Sequence, residues 1–201
     1  MERIRFKRNM VGLIVRGKLD DGHVPGIMQQ HADCILPNGE PVGFFGNNGA
    51  ATGGASSVSW NSVHMNKQGV VIDYRRMKRI MPYFVDVAVA KKRGVKSTVL
   101  LVEVDQVEAL IFSNFWKSLA DNPSVFHLLG NNCSTHASKA FIKAGILNKC
   151  IPGLDTPDHL YRQLKNDRTR KTVSYSGYLG HVPGEVPGII DLVVDSVNQR
   201  R

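Results

Sequence analysis

The segment Gly130-Asn131-Asn132-Cys133-Ser134-Thr135-His136 holds the pattern in this chain best suited to covalent chemistry. Gly and Asn ahead of an Ala-rich run mark a helix start, so Cys133 falls in a first helical turn. The orphan backbone N–H groups there, and the helix dipole, favour an anion. A thiol so placed has its pKa lowered and becomes a better nucleophile. The same N–H groups can receive the oxyanion of an acyl-transfer intermediate. The other two cysteines lack such a setting. Cys34 sits in a strand between Asp33 and Ile35, and Cys150 sits in Lys149-Cys150-Ile151-Pro152; both read as structural.

A thiolate nucleophile works with a base, and the chain has seven histidines. His31 opens a strand, where its ring can be held rigidly and can face a helix packed on the sheet. His136 lies one helical turn beyond Cys133, with its ring directed along the helix, and ranks second. His127, ahead of the cysteine, is placed to line an oxyanion site, as is Asn131. His23 and His64 lie in loops, while His159 and His181 show no relation to the cysteine.

Composition narrows the setting. The chain has 201 residues, 42% of them hydrophobic and 21% charged, which is ordinary globular make-up. A domain of this size buries roughly 70% of its unfolded surface, so it needs no disulfide or metal to hold it together. With 26 Lys and Arg against 17 Asp and Glu, the net charge is +9. That sign favours anionic partners: nucleic acid, anionic lipid headgroups or an acidic polymer such as bacterial cell wall. The clusters Arg75-Arg76-Met77-Lys78-Arg79, Lys91-Lys92-Arg93 and Arg168-Thr169-Arg170-Lys171 read as solvated faces. Aromatic residues are only 7% of the chain and do not interleave with these clusters, which counts against nucleic acid. Three cysteines without paired spacing form no zinc motif, so neither a metal nor another cofactor is expected. No apolar run approaches the ~20 residues of a membrane span. Val11–Val15 is too short for a signal-peptide core. The sequence therefore predicts a protein made in the cytoplasm with free thiols and no membrane span.

The elements that must position the cysteine follow from pattern. Gly12–Arg16 reads as a strand. His31–Leu36 and Glu40–Phe45 read as a hairpin around Pro37-Asn38-Gly39, with Pro41 at a strand start or an edge. Gly46–Ser62, with its single Trp60, is a long loop placed to border a cleft. Val70–Tyr74 and Thr98–Val104 are further strands, the second central, and Phe84–Ala90 is a candidate strand between them. A helix over Asp105–Ala120 carries the stripe Val107, Leu110, Ile111, Phe115 and Leu119, with Asp105 and Glu108 as a capping box. A second helix runs from Cys133 to Ala144, burying Ala137, Ala140, Phe141 and Ala144 and stopped by Gly145. A third starts at Thr156-Pro157 and ends near Asn166. The tail holds short β-like segments. This is a single α+β domain over residues 1–201, with a core of about 23–166 and a tail of 167–201.

A strand-opening His31, a turn, further strands and then a helix beginning Asn132-Cys133 resembles the circularly permuted papain-like cysteine hydrolases. That group holds NlpC-like cell-wall peptidases, lecithin retinol acyltransferase relatives and desumoylating isopeptidases. Some bacterial members also share a helix like Asp105–Ala120, an Ala-rich helix ending like Lys143-Ala144-Gly145-Ile146, and a helix opening like Thr156-Pro157. The resemblance spans roughly residues 23 to 166. It implies a permuted papain-like fold in which an antiparallel sheet packs against the cysteine-bearing helix. Cys133 is then the nucleophile and His31 the base in cleavage of an amide bond. NlpC-like members often carry a third polar residue about twelve positions after the histidine, and here that position is Gly43. Either the site is a dyad, or Asp33, Asp73 or a loop residue substitutes, with Asp33, on the strand face of His31, as the first choice. The resemblance and the basic charge together point to a peptidoglycan peptide as substrate. They suggest an antibacterial effector toxin delivered by a contact-dependent system such as type VI secretion, with a cognate immunity protein as partner. The alternatives are a thiol hydrolase, deamidase or acyltransferase acting on a host protein or lipid, and a non-catalytic module for nucleic-acid binding or protein interaction.

Overall fold

The computed structural model of the protein describes residues 1–19, 31–46, 67–127, 130–148 and 156–196. Strands β1 (Glu2–Ile4), β2 (Met10–Arg16), β3 (His31–Ile35), β4 (Pro41–Gly46) and β5 (Lys67–Ile72) come first. Helices α1 (Tyr74–Ile80) and α2 (Val87–Arg93) follow, with a 3-10 turn at Pro82–Phe84 between them. Then come β6 (Ser97–Glu103), α3 (Gln106–Asp121), β7 (Val125–Phe126), α4 (Cys133–Lys143), α5 (Pro157–Asn166), β8 (Thr172–Pro183) and β9 (Ile190–Ser196). The strands make one sheet in the order β1-β9-β8-β6-β2-β3-β4-β5-β7, and every neighbouring pair is antiparallel. The fold class is mixed α+β. None of the described helices is long and apolar enough to cross a membrane.

The expected hairpin is β3–β4, with Pro41 at the start of β4 opposite Ile35. Its turn needs Gly39, which sits at φ +83°, where a Cβ would lie 1.8 Å from the Ile190 carbonyl oxygen. The Ile190 N–H donates to Asn38 O at 2.7 Å. The sheet therefore curls until this turn meets the start of β9.

Helix starts follow their caps. Asp105 accepts the Glu108 N–H at 2.8 Å while Glu108 Oε2 accepts the Asp105 N–H at 3.0 Å, completing the capping box of α3. Thr156 caps α5 in the same manner, with Pro157 as its first residue.

Four sequence expectations change. Phe84–Ala90 is no strand: Asp86 accepts the Val89 N–H at 3.0 Å and starts α2, so a local cap prevails over the Val alternation. The strand expected to reach Tyr74 ends at Ile72, because Asp73 caps α1. The stripe on α3 is rotated: Ala109, Phe112 and Trp116 are buried, whereas Val107 and Leu110 are 64% and 60% exposed. The segment read as a tail supplies β8 and β9, which lie between β1 and β6.

Three apolar clusters explain the burial. On one face of the sheet α3, α4 and α5 cover Leu13, Val15, Ala32, Cys34, Phe44 and Leu100 with Phe112, Trp116, Phe141 and Leu160. Inside the curl lie Phe6, Ile14, Ile35, Val99, Leu101 and Leu192. The α1–α2 segment adds Met77, Met81 and Phe84 over Phe45 and Ile72. Thus β2 is buried on both faces, which is why Val11–Val15 reads as an unbroken apolar run rather than an alternating one. Each such large side chain stabilises the fold by about 1.5–3 kcal/mol. Of the basic clusters, Arg75, Lys78 and Arg79 of α1 and Lys91, Lys92 and Arg93 of α2 are exposed, as expected. Arg170 differs, gripping Glu108 through both guanidinium nitrogens at 2.9 and 2.6 Å.

Candidate active site

Cys133 is the first residue of α4, and Asn132 is the cap: its side-chain oxygen accepts the Thr135 N–H at 3.0 Å and the Ser134 hydroxyl at 2.8 Å. The buried side of α4 (Ala137, Ala140, Phe141) shares one core cluster with Ala32 and Cys34 of β3 and Val42 and Phe44 of β4. Its N-terminus thereby arrives at the beginning of β3, where His31 is the first residue. The Cys133 sulfur hydrogen-bonds the His31 side chain and the Ala32 backbone N–H.

The second partner of His31 comes from its own strand. Residues two apart point to the same face, and Asp33 Oδ1 lies 2.8 Å from His31 Nε2. That leaves Nδ1 as the ring nitrogen for the sulfur. The other carboxylate oxygen, Oδ2, accepts Arg16 Nε–H at 2.9 Å. Arg16 stands opposite His31 in the β2–β3 register, so these three side chains share one face of the sheet. Phe45 stacks on the imidazole at 4.2 Å between centroids, and Phe84 lies 6.1 Å away at an interplanar angle of 9°.

Gly43, the position where a third polar residue was expected, has a different use. It pairs directly with Asp33 across β3–β4, and a Cβ on it would lie 2.1 Å from Asp33 Oδ1. The missing side chain is the space that the carboxylate occupies. A polar group held from β3 stands where β4 has none.

The electrostatics of the four groups are coupled. Burial raises the Cys133 thiol, but His31 and the Ala32 N–H outweigh it and bring it below its ordinary value. Burial lowers His31, yet Cys133 and Asp33 together push it up to about 10. Asp33, also fully buried, is held below the usual carboxylate value by His31 and Arg16. These shifts favour an alternating row: guanidinium, carboxylate, imidazolium, thiolate. The His31 side chain is 20% exposed and Cys133 8%, against 4% for Arg16 and 0% for Asp33, so the row is least buried at its His31–Cys133 end.

The remaining candidates have other partners. His136 is buried against Phe44, with centroids 4.0 Å apart, and its Nε2 is 3.1 Å from Ser124 Oγ. Burial and Lys139 push it down to about 4, a neutral core histidine. His127 and Asn131 pair with each other, the His127 N–H donating to Asn131 O at 2.9 Å. The Asn131 side-chain amide donates to Ser124 Oγ and to Val125 O. Neither has a hydrogen bond to Cys133 among the described residues. Asp73 is occupied as the α1 cap. Cys34 is fully buried in the core. Cys150, His23, His64, Trp60 and the body of the Gly46–Ser62 loop lie outside the described residues. Among the described residues, no group of three His, Cys, Asp or Glu side chains is arranged to hold a metal.

Sequence reasoning missed Arg16, Phe45 and Phe84. Alternation along the strands would place Arg16 on some face of β2, but only the register of β2 against β3 puts it beside Asp33. Comparisons of the chain with protein-family models, with curated proteins and with solved structures return no match.

Proposed function

We propose that this protein is a cysteine hydrolase that cleaves an amide bond, with Cys133 as nucleophile, His31 as general acid and base, and Asp33 orienting His31. The observation that carries this reading is the row itself: a first-turn cysteine on an imidazole whose far side rests on a buried carboxylate. A thiol that was core filler would need no such partners. In the reaction the Cys133 thiolate adds to the carbonyl carbon, and the oxygen takes the negative charge toward the α4 N-terminus. The His31 imidazolium gives its proton to the leaving nitrogen as the C–N bond breaks, leaving a thioester. Water then adds to the thioester, giving a proton to His31. Collapse releases the carboxylic acid and returns the sulfur as thiolate beside imidazolium.

The base-bearing β3 precedes the nucleophile in the chain, and α4 packs on an antiparallel sheet. Both features support a permuted papain-like fold over one domain. Within that reading the substrate is a peptidoglycan peptide, in keeping with the +9 charge of the chain and the acidic character of cell wall. The protein then serves as an antibacterial effector delivered by a contact-dependent system such as type VI secretion, and a cognate immunity protein is its partner.

Digestion of purified peptidoglycan, read by mass spectrometry of the fragments, tests the substrate. New peptide fragments from the protein, absent with Cys133→Ala, are expected. Hydrolysis of a generic amide or ester without peptidoglycan fragments would move the substrate to a protein or lipid. No Cys133-dependent turnover on any of these would end the hydrolase reading.

A further inference from the structure

We propose that Arg16 is a positioning residue of this site: by gripping Asp33 and the Phe84 carbonyl at once, it fixes the carboxylate that orients His31 and fastens the Pro82–Phe84 turn beside the imidazole. The inference rests on the hydrolase reading and adds to it a residue that no motif indicates.

The geometry divides the carboxylate. Oδ1 serves His31 at 2.8 Å, and Oδ2 serves Arg16 Nε at 2.9 Å. Arg16 Nη1 donates to Phe84 O at 3.0 Å, and the guanidinium carbon lies 4.4 Å from the centroid of the Phe84 ring. One side chain thus joins β2, β3 and the turn ahead of α2. Both charged partners are almost completely buried, with side-chain exposures of 4% for Arg16 and 0% for Asp33. A buried carboxylate deprived of one of two cations takes up a proton more readily. A protonated Asp33 no longer holds the imidazolium, and the thiolate loses its counter-ion in turn. Arg16 itself touches neither the sulfur nor a reacting atom, so its effect passes through Asp33. Lysine carries the same charge but lacks the fork that reaches the carboxylate and the carbonyl together.

Iodoacetamide labelling of Cys133 from pH 4.5 to 9 tests this on Arg16→Gln and Arg16→Lys, with circular dichroism confirming the fold. The acid limb of the labelling profile is expected to move up by about one pH unit in Arg16→Gln, about tenfold slower labelling at pH 6. Arg16→Lys should show a smaller shift. In an Asp33→Asn background, Arg16→Gln should move the profile no further. In the unsubstituted protein, which needs no substitution to survive folding, the 15N NMR signal of Arg16 Nε–H should shift when Cys133 is alkylated. Folded Arg16 variants whose profiles superimpose on the parent, or an Arg16 signal indifferent to alkylation, would overturn the role of Arg16 alone. A parent Cys133 whose labelling is unaffected by His31→Ala would instead overturn the hydrolase reading beneath it.

Discussion

Cys34 and Cys133 belong to the same apolar cluster, and both thiols are buried, yet their surroundings drive them in opposite directions. Burial raises both. At Cys34 the neighbouring Asp33 carboxylate adds to that effect, and the thiol is pushed well above its ordinary value. At Cys133 the His31 side chain and the Ala32 N–H prevail over burial, and the thiol falls below it. What separates the two thiols here is the charge of the nearest partner, not depth. The Asp33 carboxylate opposes ionisation of both thiols directly, and at Cys133 the His31 imidazolium that it holds outweighs it.

The comparison breaks most sharply if the two cysteines are exchanged in role. Cys133→Ala should lower hydrolysis by about 10⁴-fold or more, the scale seen when a nucleophile is removed. Cys34→Ala should leave turnover within about threefold and show its effect in melting temperature. Activity that follows Cys34 would refute the assignment.

His31→Ala should make the Cys133 environment resemble that of Cys34. Its labelling by iodoacetamide at pH 6 should slow by about 100-fold, since an opposite charge at contact shifts a pKa by about 1–3 units. On the proposed mechanism, hydrolysis by the unsubstituted protein should fall at both ends of the pH range. It falls on the acid side once Cys133, titrating below the ordinary thiol value of 9.0, takes up its proton. It falls on the alkaline side as His31 loses its proton near pH 10. A profile with a single limb would show that one member of the pair takes no part.

Gly43→Ala tests the space beneath the carboxylate. A Cβ there lies 2.1 Å from Asp33 Oδ1, so the carboxylate must move off His31. Turnover should drop by about tenfold, with a stability loss of about 1–3 kcal/mol from overpacking. Full activity in the alanine variant would mean that Asp33 does not orient the imidazole.

The histidines sharpen the same contrast through pH and stability. His31 has a folded pKa of about 10, above the unfolded 6.5. Its contribution is complete below pH 6.5 and is lost as pH rises through 10. His181 runs the other way, pushed down to about 3 by burial and by Arg16. Its contribution is present above pH 6.5 and is lost as pH falls toward 3, by up to about 1.4 kcal/mol per pH unit. Denaturant melts at pH 7 and pH 4.5 should therefore show lower stability in acid, with part of that loss removed in His181→Asn.

Much of the local structure was legible in the chain because it is written over a few residues. Asn132 capping, the Asp105–Glu108 box, Thr156-Pro157 and the Asn38-Gly39 turn all act within four positions, and each stands where the sequence puts it. The α3 stripe failed for an equally local reason. Val107 and Leu110 satisfy helical spacing as well as Ala109, Phe112 and Trp116 do, and only the sheet beneath selects the second set. The missed α2 shows the converse, a side-chain cap outweighing an alternating run of valines.

The sequence by itself determined that Cys133 would open a helix and that His31 and Asp33 would share a strand face. Both follow from capping and from the two-residue period of a strand. That the sulfur meets this histidine, that Asp33 fills the hollow over Gly43, and that Arg16 closes the row were decided only by the tertiary structure. Fourteen residues separate Arg16 from His31 in the sequence, too many for a two-residue turn to set the register. The path from His31 to Cys133 crosses about a hundred residues. Side chains so far apart along the chain find each other through packing of the sheet and α4, and no local preference encodes that.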